Sequence, residues 1–217
     1  MKIEIKNGRL VDPESNRNEN ASLFIEGETI AGVGAAPKDF VADKVIDASG
    51  KIVCPGLVDL CARLREPGFE YRATLESEMR AAVAGGVTTL VCPPDTDPAL
   101  DEPGLVEMLT RRARMADQAR VYPLGALTLG LRGTQLTEMV ELTEAGCIGF
   151  FQADQPIVDT TVLLRAMQYA ATYGYTVWLR PQDAHLAKGG VAHDGEVASR
   201  LGLAGIPASA ETVTIST

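Results

Sequence analysis

The chain has 217 residues, 46% of them hydrophobic and 23% charged, with a formal charge of −9 and an isoelectric point near 4.8. That apolar content fills a substantial core and excludes disorder. The acidic balance argues against a nucleic-acid or anionic-membrane partner, which needs clustered Lys and Arg.

Three strands are predicted first, Lys2 to Val11, Ala21 to Ile25 and Thr29 to Val33. They are separated by the turn segments Asp12-Pro13-Glu14-Ser15-Asn16 and Glu26-Gly27-Glu28. They make a small N-terminal β-domain, sandwich-like, over residues 1–50. After Ser49-Gly50 the pattern changes, and residues 51–217 read as a second domain.

There, apolar runs alternate with stretches of helical length. The runs are Ile52 to Leu60, Val87 to Cys92, Val121 to Leu127, Cys147 to Phe151 and Thr176 to Leu179. Between them Leu75, Met79, Ala82 and Val83 share a helical face, as do Val106, Leu109 and Ala113, then Leu136, Met139 and Val140, then Leu163, Met167 and Ala170. Gly85, Gly146 and Gly174 stand where helices end. Strand and helix in repeated alternation mean an α/β fold of parallel units.

Five such strands fit an open doubly wound sheet or the first part of an eight-stranded barrel. A barrel takes about 250 residues, more than follow Gly50, and Ala208 to Thr217 breaks off as a helix begins. The expectation is an unfinished barrel whose first and fifth strands have open edges. No charged-then-apolar leader opens the chain, and no apolar run reaches the roughly 20 residues of a membrane span. A cytoplasmic location is expected. Cys54, Cys61, Cys92 and Cys147 include no Cys-x-x-Cys pair, the pattern of reduced core thiols rather than of a disulfide frame or zinc ribbon.

Ligands in parallel β/α folds gather at the C-terminal ends of strands. Along the first of these strands, alternation puts Asp59, Cys61 and Arg63 on one face, with Arg65 just beyond and Glu66-Pro67-Gly68 as the closing turn.

The run Pro55-Gly56-Leu57-Val58-Asp59-Leu60-Cys61-Ala62-Arg63-Leu64-Arg65-Glu66-Pro67-Gly68 resembles the first strand of dihydroorotases. In these cyclic amidohydrolases the pattern is Pro-Gly-x-x-Asp-x-His-x-His-x-Arg-x-Pro-Gly. The resemblance continues through Ala81-Ala82-Val83-Ala84-Gly85-Gly86-Val87-Thr88-Thr89 and Cys92-Pro93-Pro94-Asp95-Thr96-Asp97-Pro98, where the family usually has Met-Pro-Asn-Thr. It reaches Leu136-Thr137-Glu138-Met139 and Leu201-Gly202-Leu203-Ala204-Gly205-Ile206-Pro207, and the N-terminal Asn7-Gly8-Arg9-Leu10-Val11-Asp12. The resemblance implies a (β/α)8 TIM-type barrel of the amidohydrolase kind, about five of whose β/α units are present, with a β-domain that forms part of a composite sandwich. For active members it implies zinc-dependent, reversible cyclisation of N-carbamoyl-L-aspartate, in which metal-bound hydroxide attacks a polarised carbonyl.

Set against that pattern, the metal positions are degenerate. The two first-strand histidines fall on Cys61 and Arg63, the bridging aspartate on Ala153 with Asp154 beside it, and the fifth-strand histidine on Arg180. An arginine has no lone pair to give. Its charge about 4 Å from a dication would repel it by about 8 kcal/mol at an effective dielectric near 20. Arg65 matches the arginine that binds a substrate carboxylate, and without metal a structural ion pair is the favoured expectation for it. Asp95 replaces a substrate-binding asparagine. His185 and His193 read as solvent-facing.

The resemblance therefore implies a pseudo-enzyme with no catalytic residues and no zinc, similar to inactive homologues that support assembly of aspartate carbamoyltransferase. A homo- or hetero-oligomer follows from that. The competing expectation is an active zinc-dependent dihydroorotase or cyclic amidohydrolase with an altered centre, using Cys61 and Asp154. A third is an anionic metabolite held by Arg63, Arg65 and Arg180; the favoured counter-reading is that Asp59, Asp95 and Asp154 neutralise these arginines.

Overall fold

The computed structural model describes residues 1–216 and divides into two compact units, Met1–Gly56 and the chain from Leu57 onward. The N-terminal unit contains β1 (Lys2–Lys6), β2 (Arg9–Asp12), β3 (Arg17–Asn20), β4 (Leu23–Glu26), β5 (Thr29–Val33), β6 (Lys44–Asp47) and β7 (Ile52–Val53). They form a four-stranded sheet in the order β5-β4-β1-β6 and a three-stranded sheet in the order β3-β2-β7.

The run Lys2 to Val11 is thus two strands in different sheets, not one. Asn7 takes a left-handed φ of 63°, and a β-carbon on Gly8 would press into Val53 and Ala48. The unit also extends past Gly50, because Ile52 and Val53 pair in parallel with Arg9 and Leu10. Ile52 to Leu60 is accordingly broken between the units at Cys54-Pro55-Gly56. Phe24 is buried and meets Phe40 edge-on at 5.3 Å between centroids.

The second unit runs β8 (Leu57–Asp59), α1 (Leu75–Ala84), β9 (Val87–Cys92), α2 (Pro103–Ala116), β10 (Arg120–Pro123), β11 (Gly125–Ala126), α3 (Met139–Glu144), β12 (Phe150–Phe151), α4 (Thr160–Tyr173) and β13 (Val177–Trp178). It continues with β14 (Ala192–His193), α5 (Glu196–Leu201), β15 (Gly205–Ile206) and α6 (Ser209–Ser216). β8, β9 and β10 pair in parallel, as do β11, β12 and β13, and β14 with β15. Leu124 N donates to Cys92 O and Gly125 N to Gly149 O, so β10 and β11 are one strand that bridges both sheets. The parallel strands from β8 to β13 therefore lie in chain order with no reversal.

Local chemistry explains the helices. Thr74 and Ser77 form a capping box at α1, Pro103 opens α2, and the Asp159 side chain accepts from Thr161 N at α4. Leu75 and Met79, Val106, Leu109 and Ala113, and Ala166 and Ala170 face inward. Val83 and Met167 do not; both are exposed, because the inward stripe of α4 runs through Ala166 rather than Met167.

The sheet has two apolar faces. Leu90, Cys92, Phe150 and the helix residues form one core, while Val91, Leu124, Ala126, Phe151 and Ala153, with Trp178, form a second on the opposite face. Burial pushes the Cys92 and Cys147 thiols up to about 12. Cys54 and Cys61 are exposed, so only two of the four cysteines are the expected core thiols. Among the described residues, no helix is long and apolar enough to cross a membrane.

Candidate functional site

The residues singled out above follow the C-terminal ends of four parallel strands: Arg63 after β8, Asp95 after β9, Ala153 and Asp154 after β12, and Arg180 after β13. Past the end of β8, Ala62 N donates to Val91 O at 2.9 Å. That bond keeps the chain beside β9 long enough for Arg63 to reach the segment after it. The segment is itself held close, since Asp97 N donates to Pro67 O and Gly68, at φ +94°, packs where a β-carbon would collide with Asp97.

Arg63 Nε donates to Asp95 Oδ2 at 2.6 Å, and Nη2 to Asp154 Oδ2 at 2.8 Å. Arg180 Nη1 donates to Asp154 Oδ1 at 2.7 Å. The four side chains form one alternating chain of charges, Asp95, Arg63, Asp154, Arg180, that ties four strand ends together. The hydrogen bond to Asp95 is the main reason the Arg63 guanidinium is held even more firmly protonated than usual. Partial exposure, 30% for Arg63 and 47% for Asp154, keeps each pair modest in energy.

The remaining candidates fall around this chain. Ala153 is buried on the second apolar face with a left-handed φ of 53°, so the polar station after β12 is Asp154. Asp59 does not join the arginines; its Oδ1 accepts from Cys61 N at 2.9 Å. Burial raises the Cys61 thiol against the opposing pull of Arg63, which keeps the sulfur protonated at neutral pH. No ion pair engages Arg65 among the described residues, contrary to the expectation of a structural pair there. His185 and His193 are exposed, as read. Beside Asp95 lies a cavity of 820 Å³ lined by Asp97, Asp101 and Arg132, whereas Arg63 and Arg65 line another with Asp59 and Cys61 and Arg180 lines a third.

Sequence reasoning missed Glu66. Its carboxylate is 1% exposed, accepts from Leu75 N at 2.8 Å and ion-pairs with Arg112, fastening the Arg65 loop to the start of α1 and to α2. The Glu66-Pro67-Gly68 turn was visible, but neither partner stands at a helical or strand spacing from Glu66.

A family model described as dihydro-orotase-like matches residues 50–217. The chain belongs to the dihydroorotase-like family. A dihydroorotase-like protein of Pseudomonas aeruginosa is 48% identical over 216 residues, covering 100% of this chain and 51% of that protein; one of Pseudomonas putida is equally similar. A dihydroorotase of Pelotomaculum thermopropionicum is 42% identical over the same span. The chain thus spans about half the length of the curated relatives it matches. Among solved structures, the L-hydantoinase (dihydropyrimidinase) of Arthrobacter aurescens superposes with a TM-score of 0.70 at 23% identity, covering 83% of this chain and 40% of that one. A dihydroorotase crystal structure superposes at 0.56 and 16% identity, covering 82% and 50%. These likenesses establish the α/β fold shared with hydantoinases and dihydroorotases.

Proposed function

We propose that the chain is part of a non-catalytic dihydroorotase-like protein, a pseudo-dihydroorotase that supports assembly of aspartate carbamoyltransferase in cytoplasmic pyrimidine biosynthesis. The parallel strands β8 to β13 are read as the first five of a (β/α)8 barrel, and the N-terminal sheets as part of a composite sandwich. The unreversed strand order favours that over a doubly wound sheet, whose strand order reverses at a switch point.

One observation carries the reading. Arg63 is bonded to both Asp95 and Asp154, and Arg180 takes the second oxygen of Asp154. These donors do not fit zinc: a metal there would have to displace two guanidinium groups from the carboxylates while facing their charge. The strand ends that relatives use for chemistry are closed here by internal ion pairs, and the surface of the fold is left as the functional part.

The test uses the full-length protein with the aspartate carbamoyltransferase catalytic chain, in sedimentation and in a carbamoyl-aspartate turnover assay. Stable association without turnover is expected. Turnover dependent on stoichiometric zinc would establish the altered-centre enzyme instead, and lack of association would remove the assembly role.

A further inference from the structure

A second cluster of arginines lies at the opposite end of the parallel strands. In a chain of formal charge −9, Arg111, Arg112 and Arg114 crowd the second half of α2, and Arg120 opens β10. Arg112 pairs with Glu66. Arg111, Arg114 and Arg120 are exposed, and among the described residues none has an ion-pair partner.

These three arginines share one surface. Arg114 and Arg120 line a groove of 460 Å³, and Arg111 and Arg114 line an adjoining one of 360 Å³; Thr110, Arg114 and Ala145 are common to both. Apolar side chains stand open in the same place, with Tyr122 38%, Ile148 48% and Met115 75% exposed. No lysine lines either groove, and the only acids are Glu107 and Asp117. An ordinary solvated face carries flexible Lys and Glu. Arginine, tyrosine and methionine around an apolar floor form the composition of protein interfaces.

β10 pairs with β9 on one side, and on the other the chain returns beside it only at Ile148, whose N donates to Pro123 O. The groove is walled by α2, the start of β10 and the turn between α3 and β12, all flanked by packed neighbours.

We propose that this groove docks an acidic segment of a partner protein. The guanidinium forks of Arg111, Arg114 and Arg120 take its carboxylates, and an apolar side chain of the segment seats between Tyr122 and Ile148. An acidic peptide fits better than a long polyanion, because the apolar floor offers nothing to a phosphate backbone. Screening over a Debye length of about 8 Å lets local arginines outweigh the distant negative charge. The proposal rests on the assembly reading above and names the face that performs it.

The test measures binding of the full-length protein to the aspartate carbamoyltransferase catalytic chain at low and high salt. Wild type is compared with the triple variant Arg111→Glu, Arg114→Glu, Arg120→Glu and with the triple Lys replacement. Expected results are association that weakens with salt, a loss of about 100-fold or more in the Glu variant, and a smaller loss with Lys. If the Glu variant fails to fold, the single variants Arg111→Gln and Arg120→Gln replace it, each expected to weaken binding by about 5-fold. Wild-type association unchanged in folded variants overturns the groove and leaves the assembly reading standing. Absence of wild-type association overturns both. Loss of self-association alone in the variants identifies a second copy as the occupant and overturns the acidic partner.

Discussion

The Arg63 guanidinium lies 2.8 Å from the Asp154 carboxylate and joins the segment after β8 to the segment after β12, 91 residues along the chain. Arg63→Met removes the cation and leaves Asp95 and Asp154 with no charge between them. Because the pair is partly open to water, the expected loss is about 1 kcal/mol in denaturant unfolding. A double-mutant cycle with Asp154→Asn should give a coupling of about 0.5–1 kcal/mol that shrinks in high salt. Zero coupling would mean that the two side chains meet without holding the strand ends together.

Glu66 supports the loop that carries Arg65. Glu66→Ala leaves Leu75 N and Arg112 without their buried partner. The expected cost is about 2 kcal/mol, below the full value for a buried pair because Arg112 is half exposed. Glu66→Gln keeps an acceptor for Leu75 N and should cost about half as much. Equal losses in the two variants would assign the whole effect to the ion pair.

The cysteines divide by burial. With Cys92 and Cys147 pushed up to about 12 and out of solvent, iodoacetamide at mildly alkaline pH should label the exposed Cys54 and, more slowly because its thiol is raised, Cys61 in the native protein, and all four only in denaturant. Rapid native labelling of Cys92, read by peptide mass spectrometry, would contradict the packing between β9 and the helices.

Asp159 gives a pH dependence. Its carboxylate accepts from Thr161 N, the first cause that lowers it below the ordinary aspartate value of 3.8. Stability from this cap is therefore fully present above pH 3.8 and is lost as pH falls through the lower folded-state value. Asp159→Asn should flatten melting temperature against pH in that acidic range while leaving it nearly unchanged at neutral pH. A variant that keeps the wild-type acid slope would place the titration elsewhere.

The sequence carried the chemistry of the site further than its geometry. Arg63 is legible because alternation from Asp59 puts it on the face of Cys61, and Arg180 because the family resemblance sets it at a metal position. Ala153 against Asp154 is not, since a one-residue slip is invisible without the backbone. The left-handed turn at Ala153 buries its methyl and leaves Asp154 to take both guanidinium groups. Asp59 was grouped with the neutralising acids by its place on the face, yet its nearest donor is the Cys61 amide two residues on. In the N-terminal unit, β3 reads Arg-Asn-Glu-Asn with no apolar alternation, so only its pairing with β2 defines it as a strand. Met167 shares a helical spacing with Leu163 and Ala170, but the sheet packs against the small Ala166 and Ala170 instead.

Zinc content of the purified full-length protein, measured by mass spectrometry after exposure to excess zinc and exhaustive dialysis, bears most directly on the ion-paired site. Arg63 and Arg180 seated on Asp95 and Asp154 predict zinc far below one equivalent per chain, with melting temperature indifferent to chelator. Stoichiometric zinc that is lost on chelation together with stability would contradict the assignment.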